Sequence, residues 1–164
     1  MERVGAIVIG AGVVGHPVQT LARWAGEGAA QCPVLVVRQS AAQPYQRVLV
    51  PVDFSPWSAP TLALVDTMAP HALVELLHVY TVPFEEKSLA HEQRWSPSRY
   101  RVHLREGDAA PAVVRSAQEW GCDLVALGKH GQGVAEELLL GSVTKHVVAE
   151  AACDVLVSPA AQRV

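Results

Sequence analysis

An open α/β architecture on a mostly parallel sheet is the fold this sequence predicts, and three observations predict it. Short β-branched runs alternate with helical patterns from about residue 47 onward. A glycine-rich stretch separates an apolar strand from a helix near the C-terminus, and residues 1–40 repeat the pattern of the last third in shortened form. Alternation of this kind is what successive βαβ units leave in a sequence.

The strands are read at Val48-Leu49-Val50, 73–80, 100–104, Leu124 to Leu127 and Val155-Leu156-Val157. Between the first two lies a helix opened by Ser55 or Ser58, with Pro56 or Pro60 tolerated in its first turn and Leu62, Val65 and Met68 on one face. The clearest helix runs from an N-cap at Asp108 to Gly121, with a stripe of Ala110, Val113, Val114, Ala117 and Trp120. Gly121 suits the left-handed position that ends a helix. A last helix begins at Ser142 and carries Val143, Val147 and Ala151 on one side. Residues 82–99 are polar and proline-flanked, and at most a short helix near 85–93 is expected there.

The repeat is explicit. Ala6-Ile-Val-Ile-Gly10 and Cys32-Pro-Val-Leu-Val-Val37 echo Leu124-Val-Ala-Leu-Gly128 and Cys153-Asp-Val-Leu-Val-Ser158 at comparable intervals. Residues 1–40 therefore read as a βαβ appendage, 41–46 as a linker and 47–160 as a complete domain. Gly10-Ala-Gly12-Val-Val-Gly15 also spells the dinucleotide fingerprint, but the next strand ends in Arg38-Gln39 where a ribose-binding acid belongs. The repeat accounts for those glycines better than a redox cofactor does.

The chain has 164 residues, half of them hydrophobic and 18% charged, with a net charge of -3. Lys plus Arg (13) does not exceed Asp plus Glu (16), so no nucleic-acid partner is expected. No run approaches the ~20 apolar residues that span a bilayer, and Glu2 with the early glycines argues against a secretory signal. A cytoplasmic protein without a membrane partner is expected. Cys32, Cys122 and Cys153 form no CxxC pair and are read as buried, reduced thiols.

The strongest chemical signal is Gly128-Lys-His-Gly131, nine residues, then Gly141-Ser142 at a helix start. Glycines let backbone N–H groups approach phosphate oxygens, and Ser142 adds a hydroxyl at the positive end of a helix dipole. A glycine-rich turn without a ligand is the plainer alternative. Lys129, His130, Lys145 and His146 add cations nearby, although no acid is tied to His130 as a general base would require. His78, His91 and His103 lack metal-ligand spacing and read as structural or exposed.

The pattern G-x2-G-x9-G-S followed by Val143-Thr144 resembles the ATP-binding signature of universal stress proteins. So do Arg47-Val-Leu-Val-Pro-Val-Asp53-Phe-Ser and Leu76-Leu-His-Val79, and the resemblance covers about 47–158. It implies a Rossmann-like five-stranded parallel sheet in the order 3-2-1-4-5 with helices on both faces. It implies ATP, with or without Mg²⁺, across the carboxyl ends of strands one and four. Asp53, with the backbone of Pro51 and Val52, would meet the adenosine, and Val79 would offer main-chain bonds to the adenine edge. Gly128, His130, Gly131, Gly141, Ser142 and Val143 would hold ribose and phosphates. Residues 1–40 resemble the tail of the first half of a tandem family member, with G-x9-G-S replaced by His16 to Trp24, so no second nucleotide site is expected there. A homodimer through the last strand or through 34–37 is implied as well.

The function expected on this reading is that of a nucleotide-binding stress sensor or regulator with little or no turnover. The rivals are a slow ATP hydrolase or adenylate-transferring enzyme, and a nucleotide-free interaction module. Glu136 and Glu137 are the only acids near the loop in sequence, and they read as helix surface. No catalytic or metal-binding residue is assigned.

Overall fold

The computed structural model describes residues 7–10, 32–38, 43–54, 58–81, 99–129 and 140–159. Within them seven strands form one sheet: β1 (Ile7–Gly10), β2 (Val34–Val37), β3 (Arg47–Pro51), β4 (Leu73–Tyr80), β5 (Tyr100–Glu106), β6 (Leu124–Gly128) and β7 (Asp154–Ser158). The helices are α1 (Ser58–Met68), α2 (Ala109–Glu119) and α3 (Ser142–Glu150). The spatial order is β1-β2-β7-β6-β3-β4-β5, so the strands from β3 onward lie in the order 3-2-1-4-5 among themselves. All neighbours are parallel except β2 and β7. The stretch expected to hold a short helix near 85–93 lies outside the described residues.

Side chains alternate between the faces of a strand, and helices cover both faces here, so the middle residues of the central strands are apolar. Val48, Val50, Leu124, Ala126 and Leu156 pack with Leu62 and Val65 of α1. Leu49, Val125, Leu127, Val155 and Val157 pack with Val113 and Ala117 of α2 and Val147 and Val148 of α3. The same face takes in Val34 and Val36 of β2, so the core continues across the antiparallel seam.

That seam is nearly self-symmetric. Val34, Leu35 and Val36 pair with Val157, Leu156 and Val155, which sets Leu35 opposite Leu156 at the centre of two Val-Leu-Val triplets. Asp154, buried at the start of β7, accepts the Arg38 backbone N–H at 2.7 Å and the Tyr45 hydroxyl at 2.8 Å. The Arg38 guanidinium reaches the carbonyls of Val148 and Ala149 at the negative end of α3. The segment entering β3 is fixed by Asp123, whose carboxylate accepts the N–H groups of Gln46 and Arg47 at 2.7 and 3.1 Å.

Helix α2 begins as read, with the Asp108 side chain accepting from Ala110 N at 3.2 Å. Gly121 follows its end at φ 62, in the left-handed region where a side chain is strained. Its buried face differs from the expected stripe: Ala112, Val113, Ser116 and Ala117 are inside, while Ala110 and Val114 are half-exposed. The helix is turned so that the small side chains of Ala112 and Ser116 meet the core, a choice that side-chain volume makes and periodicity does not show.

Cys32 is exposed, against the expectation, because it precedes β2 at the rim of the sheet. Cys122 and Cys153 are buried free thiols, and burial pushes them up to about 12 and about 11. Burial and the hydrogen bond to Asp154 also raise the Tyr45 phenol well above its usual range. These groups are neutral in the folded chain and ionise more easily once it unfolds. Their contribution is therefore full below about pH 9, the ordinary thiol value, and is lost as pH climbs toward the folded values. Each adds a slope of up to about 1.4 kcal/mol per pH unit in that window. Urea unfolding at pH 8, 9.5 and 11 should show the decline, and Cys122→Ser with Cys153→Ser should flatten its early part.

Candidate functional site

Three parallel strands, β3, β4 and β6, end at the same rim of the sheet. β3 connects through α1 to one side and β6 through α3 to the other, so the chain diverges between them. Open α/β sheets hold their ligand crevice at such a switch point. A cleft of about 470 Å³ lies there. Its size falls in the ordinary small-molecule range.

Pro51, Val52 and Asp53 continue from β3 along one wall, and Val79 stands at the end of β4. Gly128 closes β6, while Gly141, Ser142 and Val143 form the start of α3 opposite. The structure thus brings eight of the ten expected site residues to one cleft. The other two, His130 and Gly131, lie outside the described residues, as do Glu136 and Glu137.

The α3 end of the cleft is electropositive by construction. Gly141 is the N-cap, and the first bond inside the helix runs from Lys145 N to Gly141 O at 3.0 Å. The N–H groups of Ser142, Val143 and Thr144 therefore have no carbonyl within the helix. Ser142 is exposed. The entrance and exit of the intervening loop are tied together by Gly141 N donating to Lys129 O at 3.0 Å, with Lys129 N donating to Ser158 O at 3.0 Å. The Thr144 hydroxyl secures the same corner by donating to Gly128 O at 2.9 Å. Lys129 itself is buried, so it belongs to this corner and not to the solvated surface.

The β3 wall carries the opposite charge. Asp53 Oδ1 accepts the Ser58 hydroxyl at 3.1 Å, which fixes the carboxylate against the first residue of α1. Beneath the cleft, Thr61 and Ser158 share a buried hydroxyl–hydroxyl bond of 2.7 Å. Ser58, Thr61, His78, Tyr80, Thr81 and Thr144 also line the cleft, and sequence reasoning assigned none of them to it. Thr144, two residues into a helix after Gly-Ser, and His78, inside the Leu76-Leu-His-Val79 motif, carried signals that could have found them. Among the described residues no group of three His, Cys, Asp or Glu side chains is placed to hold a metal ion. No described helix is long and apolar enough to cross a membrane.

A cleft of this kind suits a ligand that is anionic at one end and rich in hydroxyl donors at the other. Comparison with known proteins agrees with the geometry. The model of the universal stress protein family matches residues 83–159. A universal stress protein of Methanothermobacter thermautotrophicus is 38% identical over 56 residues, which cover 34% of this chain and 38% of that protein. The matched stretches span 36–39% of the curated relatives' lengths. Among solved structures, a universal stress protein from Archaeoglobus fulgidus has the same fold at TM-score 0.68 and 18% identity, over 96% of this chain and 61% of that one. A universal stress protein solved in complex with cAMP matches at TM-score 0.58 and 24% identity, over 71% of this chain and 98% of its own. The family model and the curated relatives both indicate the universal stress protein family, and the solved structures share its fold.

Proposed function

We propose that this chain binds an adenine nucleotide, ATP, reversibly in the switch-point cleft and serves as a cytoplasmic stress-linked sensor or regulator with little or no turnover. The observation that carries the reading is the convergence of Asp53, Val79 and the α3 N-terminus on one cleft. The carboxylate suits ribose hydroxyls, the end of β4 suits the base, and the helix start suits phosphate. The glycine-rich loop with His130 and Gly131 completes the phosphate grip on this reading. Any Mg²⁺ arrives with the nucleotide on this reading.

A homodimer through the last strand or through 34–37 has to reckon with a sheet in which β2 lies between β1 and β7. β2 already pairs with β7, so that edge is open to a second copy only when β2 leaves it.

Calorimetry should show ATP binding near 1 μM, about -8 kcal/mol, with cAMP titrated alongside because a relative was solved with it. The decisive variant is Ser142→Asp. A carboxylate in the first turn favours the helix by about 0.3–1 kcal/mol, yet it faces the phosphates with like charge. Affinity should fall at least about tenfold, or 1.4 kcal/mol, while thermal stability holds or rises. Equal affinity in the variant would remove the phosphates from α3. ATP turnover should lie far below the ~10 s⁻¹ of a typical enzyme, and a rate near that value would favour the hydrolase reading.

A further inference from the structure

We propose that His78 is the positioning residue of this cleft: its imidazole takes the Val52 carbonyl and so keeps the main-chain edge of Val79 open to a ligand. The identity of that ligand rests on the nucleotide reading above. β3 and β4 run parallel with Pro51 opposite Leu77, and Val52 N donates to Leu77 O at 2.9 Å. In a parallel ladder the bonds of one strand alternate along its neighbour, so the next bond due is from Val79 N–H to Val52 O.

The structure breaks the ladder at that step. Val52 O pairs with His78 Nδ1 at 2.9 Å, and because a carbonyl only accepts, Nδ1 carries the proton. Phe54 packs its ring on the imidazole with centroids 4.5 Å apart, and it sits at φ 56, a backbone region that bulky residues rarely adopt. One imidazole therefore holds both sides of the turn that carries Asp53. Alternation along β4 turns the polar backbone of Leu77 toward β3, and Val79, two residues on, faces the same way beyond the end of β3. Tyr80 faces the other way, its carbonyl accepting from Gly107 N at 2.9 Å. Val79 lines the cleft.

Amide hydrogen exchange on the ligand-free chain and ATP calorimetry test this together. In the wild type the Val79 amide should exchange quickly. In His78→Leu the Val52 carbonyl is released to Val79 N–H, so that amide should become protected and ATP affinity should drop at least about tenfold, or 1.4 kcal/mol. His78→Asn keeps a donor at the Nδ1 position and should preserve both fast exchange and affinity. His78→Gln, whose amide reaches toward the Nε2 position, should behave like His78→Leu, and the Asn–Gln contrast decides the matter if the leucine variant does not fold. A Val79 amide already protected in the wild type, or unchanged affinity in His78→Leu and His78→Gln, would overturn the proposal. A wild type that binds no ATP overturns the ligand assignment alone, because the exchange pattern still judges His78.

Discussion

Removal of residues 1–40 should convert the chain into a self-associating protein. β2 covers the hydrogen-bonding edge of β7, and its Val34 and Val36 side chains complete the α2–α3 face of the core. Without it, the backbone groups of Val155, Leu156 and Val157 lie along an open, apolar edge, the kind that pairs with another chain. The Val-Leu-Val triplet of β7 already matches its antiparallel partner residue for residue, so a second β7 fits the vacated place in the same register. Light scattering on the truncated protein should show dimers or larger species at concentrations where the intact chain is monomeric. A truncated chain that stays monomeric and equally heat-stable would show that β2 shields nothing.

Asp154→Ala should be the most damaging single substitution at the seam. Its buried carboxylate accepts from both Arg38 N and Tyr45 Oη, and the change leaves two donors without a partner. Stranding a buried donor costs about 1–3 kcal/mol, and both donors here are half-buried, so each loss lies toward the lower end. A total near 3 kcal/mol is expected, which for a chain of this size lowers Tm by about 6–12 °C. Asp154→Asn retains one acceptor oxygen and should lose roughly half as much. The released Tyr45 hydroxyl should titrate closer to its ordinary value, visible as a phenolate absorbance change at lower pH than in the wild type. A Tm within 2 °C of wild type, about the effect of a single kcal/mol at most, would mean that the clasp contributes nothing.

Much of this fold was legible because it rests on short-range pattern. The five strands from β3 to β7 were read within two residues of their ends, since the covered strands β3, β6 and β7 leave short apolar runs and β5 at the edge alternates apolar with charged residues. The repeat marked 34–37 as a copy of the last strand, and the structure lays the two side by side, since a two-stranded unit alone cannot bury its faces. What escaped notice depends on packing at a distance. The rotation of α2 toward Ala112 and Ser116 and the exposure of Cys32 are decided by neighbours that periodicity does not record. In the cleft, Asp53, Gly128 and Ser142 announced themselves through spacing to glycines and a strand end. Thr61 meets Ser158, and His78 meets Val52, across gaps of 97 and 26 residues, and no local motif marks either contact.

The antiparallel seam between β2 and β7 also divides the sheet into two senses of direction. β3 to β7 all discharge their chain at one rim, where the cleft lies, whereas β1 and β2 run the other way and deliver Gly10 to the far rim. A five-residue strand is about 17 Å long, so Gly10 ends its strand at the opposite rim of the sheet from Gly128 and Gly141. No single small ligand bridges them. The two glycine-rich signals that look alike in the sequence therefore set out from opposite rims of one sheet, the first from Gly10 and the second from Gly128.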